Sequence, residues 1–131
     1  MSKERLFLIV TAVGLIPIAL AYGVAPGITL PVLYGLEIDN VSALHILRAI
    51  MGLYLAMVTF WLLGAWRATL LTPALYSVAV FMLGLAAGRT LSLVMDGMPS
   101  PLLVVYLALE VALGAVALWL ASQQDNAAQP S

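Results

Sequence analysis

Cysteine is absent from this 131-residue sequence, and histidine occurs once. The first absence excludes disulfides and thiolate metal sites and leaves the redox compartment unread. The second speaks against a zinc site built from protein ligands alone. Charge is scarce too: charged residues are 8% of the chain, where soluble domains carry about 25%. A soluble domain this short must cover a large surface with polar groups. Five Lys and Arg with six Asp and Glu cannot do so. A net charge of −1 provides no basic field to recruit nucleic acid. Gly-x-Ser-x-Gly, His-Glu-x-x-His, phosphate-loop and dinucleotide fingerprints are all missing, and no cofactor is implied.

What is present is hydrocarbon, with 64% of residues hydrophobic. Bilayer hydrocarbon is about 30 Å thick, which a helix crosses in about 20 residues. Four stretches qualify: residues 4–22, 43–66, 73–94 and 101–121. The expected fold is all-α, an antiparallel bundle of four transmembrane helices forming a single membrane domain. Pro17 interrupts the first span. Asn40 or Ser42 is placed to cap the second, and Thr72-Pro73 and Ser100-Pro101 read as N-caps followed by proline at the first helical position. Residues 122–131 read as a frayed polar tail. The connection 23–42 mixes Pro26, Gly27 and Pro31 with Leu30, Leu33, Leu36 and Ile38. Such a loop belongs at the membrane interface or folded over the bundle mouth.

Lys3, Arg5 and Arg67 fall on one side, and Glu37, Asp39 and Asp96 on the other. The positive-inside rule therefore predicts a multi-pass inner (plasma) membrane protein with both termini cytoplasmic. Residues 1–21 also have the layout of a secretory signal peptide, a basic start, an apolar run and Ala19-Leu20-Ala21. Cleavage there would leave three spans.

Arg48, Arg89 and Glu110 lie inside predicted spans. Each costs about 2.5–3.5 kcal/mol near the bilayer centre, so such residues face the bundle interior and find partners. At about 1.5 Å per residue, all three fall within roughly 8–13 Å of the outer helix ends. The expectation is one polar cluster in the outer half of the bundle, comprising His45, Arg48, Arg89, Ser92, Asp96, Tyr106 and Glu110. On the second span His45, Arg48, Gly52, Ala56 and Thr59 recur at steps of three and four, and Gly114 lies one turn below Glu110. Gly52, Gly84, Gly88 and Gly114 are expected to let helices pack closely. Tyr22, Tyr34, Tyr106, Trp61, Trp66 and Trp119 read as interface anchors.

His45-x-x-Arg48-Ala49-x-x-Gly52-x-Tyr54, Gly88-Arg89-x-x-Ser92-Leu93 with Asp96-Gly97-x-Pro99, and Glu110-x-x-x-Gly114 resemble motifs of a family of small four-span bacterial membrane proteins. Pro31, Leu33, Tyr34 and Gly35 fit the same family, and the resemblance spans residues 5–121. That family is classed as a domain of unknown function, so the likeness implies the four-span fold and bacterial inner-membrane placement but no activity. A fainter, fold-level likeness extends to DoxX-like proteins and to the sterol-isomerase and sigma-2-receptor group.

Three functions compete. The leading one is a non-enzymatic binding or accessory protein, whose bundle takes a lipid, quinone or other small amphiphile between the second, third and fourth spans. The second is an isomerase-like enzyme with Glu110 as acid or base. The third is a structural or assembly subunit, self-associating or serving a membrane partner, in which the cluster only fixes helix register. A channel or transporter is disfavoured, because one four-helix chain offers little for alternating access.

Overall fold

The computed structural model describes residues 1–129 and is helical throughout, with no strand among the described residues. Five helices follow in order: α1 (Lys3–Gly23), α2 (Pro26–Tyr34), α3 (Val41–Trp66), α4 (Ala68–Met95) and α5 (Pro101–Ala128). All but α2 are long and apolar enough to cross a bilayer, and the protein is a multi-pass membrane protein built as a helical bundle.

The long helices pack unevenly. Most contact lies between α1 and α3 and between α4 and α5, with a smaller α3–α4 seam. α1 and α5 hardly approach each other at the backbone. Alanines make up much of the core, among them Ala12, Ala19, Ala65, Ala74, Ala79, Ala117 and Ala121. That is the physics of helix association in oil, where small residues let backbones come close because no hydrophobic force drives them together. Gly64 marks the tightest approach. A Cβ there would collide with the Ala74 Cβ and lie 3.1 Å from the Leu70 carbonyl.

Trp61, expected at the interface, is instead wholly buried. Its indole N–H donates to Ser77 Oγ at 3.0 Å, and that hydroxyl donates to the Ala74 carbonyl at 2.7 Å. With its one polar atom satisfied, the large ring is free to fill the α3–α4 seam. Trp66 and Trp119 remain exposed.

Two helix ends and one whole helix depart from the sequence reading by more than a turn. α4 begins at Ala68, not Pro73, so Pro73 stands inside the helix. A single extended residue, Arg67 (φ −106°, ψ 117°), turns the chain. Nothing in Ala68 to Thr72 resists helix, so the chain re-enters at once. At the far end, α5 runs to Ala128 in place of the expected frayed tail. Lys3 Nζ donates to Gln123 Oε1 at 2.8 Å and sits 4.8 Å from the Trp119 ring centre, and Tyr76 donates to Asp125. These contacts tie the polar end of α5 to α1 and α4; residues 130–131 of the expected tail lie outside the described residues.

The third difference is α2, a helix within the stretch that reads as a loop. Pro26 occupies its first turn, and Gly35 (φ 68°) ends it by donating to the Pro31 carbonyl while Leu36 donates to that of Leu30. Leu30 and Tyr34 are buried against Leu47, Leu102, Leu103 and Tyr106, so α2 does close the bundle mouth.

Candidate functional site

Arg89 on α4 and Glu110 on α5 meet in the bundle. Arg89 Nε lies 2.8 Å from Oε1 and 3.0 Å from Oε2 of the carboxylate. Their side chains are 22% and 8% exposed. Among the described residues this is the one Lys/Arg–carboxylate pair in contact. Gly114, one turn below Glu110, sits against Leu83: a Cβ would fall 2.7 Å from its side chain. That close α4–α5 approach brings the pair together.

Arg48 is not part of it. Its Nη1 donates to the Gly23 carbonyl at 2.6 Å, at the C-terminus of α1. The last carbonyls of a helix lack partners and carry the negative end of the helix dipole, so a guanidinium settles there. Thr29 Oγ1 donates to the Ala21 carbonyl of the same turn at 2.5 Å. The expected Arg/Arg/Glu cluster is therefore an Arg/Glu pair, with the second arginine engaged as a cap.

The stripe expected to face inward on the second span faces outward on α3. His45, Arg48, Gly52, Ala56 and Thr59 line up along a face that is exposed or only partly covered, while Leu47, Tyr54, Val58, Trp61 and Ala65 are buried. Gly52, Gly84 and Gly88 have nothing within 4 Å of the position a Cβ would take, so none of them marks a close helix approach among the described residues. The aromatic packing of Tyr54 and Trp61 on Phe81, at ring centroids 5.1 and 5.5 Å apart, sets the phase of α3 instead. Ser92 donates to Asp96 at 2.7 Å, both exposed at the end of α4. Asp96 thus serves its own helix terminus and not an arginine.

The pair lies beside a cavity of about 230 Å³ between α1 and α5. Val10, Gly14 and Ile18 form the α1 wall, Leu109 and Leu113 the α5 wall, and Tyr54, Met82 and Leu85 the back. Arg89, Glu110 and Tyr106 give its polar part. Val10, Gly14 and Leu109 are exposed, so the opening looks sideways, where the hydrocarbon of a bilayer would be. The gap is framed at one end by Lys3 on Trp119 and Gln123, and at the other by α2 through Tyr34 and Tyr106. This places the cavity between α1, α4 and α5, not between the last three spans.

Thr11 on the α1 side lines the same cavity, is 5% exposed, and its hydroxyl has no hydrogen-bond partner among the described residues. A threonine in a helix can relieve such a hydroxyl on the carbonyl four residues back; Thr29, Thr59 and Thr90 all do so. Thr11 does not.

Tyrosines complete the surroundings. The Tyr34 and Tyr106 hydroxyls lie 3.0 Å apart. Tyr22 stacks on Tyr34 and meets Tyr54 edge-on, both at centroid distances of 5.7 Å. The Arg89 guanidinium carbon lies 5.7 Å from the Tyr106 ring centre. Burial, reinforced by the Tyr106 hydroxyl, pushes the Tyr34 phenol above its ordinary range, so it stays protonated. Tyr22, Tyr34 and Tyr106 are thus a joined cluster and not separate interface anchors. Sequence reasoning gave Thr11, Gly14 and Tyr54 no place in the site. For Tyr54 the signal was depth, since a tyrosine half-way along a span is too far from either interface to anchor there. A second cleft of about 110 Å³ lies across Arg89, lined by Ser92, Gly97 and Pro99.

A family model described as a domain of unknown function (DUF4345) matches residues 4–121. No curated protein and no solved structure matches the chain.

Proposed function

The chain belongs to the family of unknown function DUF4345, and we propose that it binds a lipid or other small amphiphile from within the bilayer, as a binding or accessory protein. One observation carries this reading: the cavity between α1 and α5 has apolar walls and a side opening, with Arg89, Glu110 and Tyr106 as its polar part. Ligand sites are largely apolar concavities with a few convergent polar groups. A ligand entering here leaves its tail among Leu85, Leu109 and Leu113 and presents its polar group to the pair. At about 230 Å³ the cavity is smaller than the roughly 300–1,000 Å³ of drug-sized sites. It therefore suits a slim chain or one small ring, with any longer tail remaining in lipid.

The proposed setting is the inner (plasma) membrane with both chain ends cytoplasmic. Lys3, Arg5 and Arg67 support that orientation. The Lys3–Gln123 and Tyr76–Asp125 bonds put the start of α1, the early part of α4 and the end of α5 on one side of the bundle.

A second reading, proton-transfer catalysis with Glu110 as acid or base, is favoured by the open space beside the carboxylate. It is weakened by the Arg89 nitrogen that both carboxylate oxygens share.

The test uses Gly14→Leu and Arg89→Met. A Cβ at Gly14 would meet nothing within 4 Å, and Gly14 is on the cavity lining, so leucine there is placed to fill the cavity mouth. Amphiphiles that co-purify with the wild type are identified by mass spectrometry, and both variants are expected to lose the same species. Full retention by both would refute the binding reading.

A further inference from the structure

We propose that the cavity between α1 and α5 takes an amphiphile whose polar group is a net-uncharged oxygen function, a hydroxyl or a carbonyl, and discriminates against ionised headgroups. This deepens the binding reading above and rests on it.

Charge count is the first ground. Arg89 and Glu110 are the two ionised side chains that line the cavity, one of each sign, and they are in contact. The pair is already balanced. An anionic headgroup would leave one negative charge in excess against walls of leucine and methionine, and a cationic one would leave one positive. Low-dielectric surroundings penalise either outcome strongly. An uncharged oxygen adds no charge and leaves the pair intact.

Residual hydrogen-bonding capacity is the second. Arg89 commits Nε to Glu110, and the Tyr22 side chain is within hydrogen-bonding reach of the guanidinium; with four N–H groups on its two terminal nitrogens, donors are left over even if Tyr22 takes one. Each carboxylate oxygen accepts one bond from Arg89 and has a further lone pair. Unused donors thus lie beside unused acceptors. A hydroxyl uses both kinds at once, and a carbonyl uses the donors.

The third ground is that Thr11, a polar side chain on the α1 side of the lining, is itself uncharged and gives an ionised group no countercharge.

The experiment uses the full chain in detergent micelles at about pH 8, where carboxylic acids of ordinary pKa are ionised. Four probes of equal chain length are compared: tetradecan-1-ol, 2-tetradecanone, tetradecanoate and tetradecyltrimethylammonium. Binding is read by native mass spectrometry and by the shift in unfolding temperature. The alcohol and ketone are expected to bind at least about ten-fold more tightly than either ion, and Gly14→Leu is expected to abolish their binding. Glu110→Gln leaves Arg89 unbalanced and should move the preference toward tetradecanoate. The wild-type ranking stands as a test even if that variant fails to fold. Tetradecanoate or the quaternary amine binding the wild type as tightly as the alcohol would overturn the charge class and leave the binding reading standing. If no probe binds, or Gly14→Leu changes nothing, the binding reading falls and this inference with it.

Discussion

Arg89 holds Glu110 through one nitrogen: Nε is 2.8 Å from one carboxylate oxygen and 3.0 Å from the other. The guanidinium thus spends none of its terminal donors on the carboxylate, and the pair is held between α4 and α5 at the side of a cavity. Breaking such a pair differs from replacing it. Removing one buried partner costs about 3–5 kcal/mol because the other charge is stranded. With the Arg89 side chain 22% exposed, Glu110→Leu should fall at the low end, about 3 kcal/mol. Arg89→Met with Glu110→Leu should recover most of that. Reversible unfolding in detergent micelles gives both numbers. A double variant as unstable as the single one would remove the account of the pair as a neutralised unit.

Glycine positions make a sharper structural prediction. Gly64→Val drives a side chain into Ala74 and the Leu70 carbonyl, whereas the same change at Gly52 meets open space. Overpacking of this kind costs about 1–3 kcal/mol. Gly64→Val should lower the unfolding temperature clearly, and Gly52→Ala should leave it level or raise it, since alanine is the better helix former by about 1 kcal/mol. Equal effects would mean that α3 packs in another rotation.

Arg48 separates the sequence reading from the structure. Arg48→Met removes the donor to the Gly23 carbonyl and, with Arg48 exposed, should cost about 1.5 kcal/mol, the low end of the roughly 1.5–3 kcal/mol for a hydrogen bond involving a charged group. Amphiphile binding should be unchanged, because Arg48 does not line the cavity. If Arg48→Met abolishes binding as Arg89→Met does, the two arginines share a site after all.

The Tyr34–Tyr106 bond should show non-additive losses. Tyr34→Phe and Tyr106→Phe each remove one end of a single 3.0 Å contact. Each should cost about 1 kcal/mol, and the double variant little more than either. Tyr34 also predicts an alkaline response. Its folded-state pKa is raised above the ordinary 10.0 by burial and then by Tyr106. The stability it contributes is whole below that value and is lost as pH rises toward the folded pKa. Tyr34→Phe should flatten the wild-type loss of stability above about pH 10. An unchanged alkaline limb would place the sensitivity elsewhere.

Much of the architecture is legible in the sequence. Four apolar runs of span length lie within the four long helices, and Asn40 caps α3 as its side chain suggested, accepting from the Ala43 N–H at 2.8 Å. The cost of charge in hydrocarbon also brought Arg89 to Glu110. These inferences succeed because they depend on local chemistry or on the solvent: a span must be long and apolar, and a buried charge must be met.

Which way each helix turns was decided only by the tertiary structure. In water a helix announces its inner face by its apolar stripe, but in lipid the outer face is as apolar as the inner. Trp61 is buried and Trp66 exposed on the same helix, and their residue type does not separate them. The outward turn of Gly52, the capture of Arg48 by the end of α1 and the gap between α1 and α5 all follow from which helix packs against which. That choice rests on small-residue contacts and interlocking rings summed over several helices, and no single stretch of sequence contains the sum.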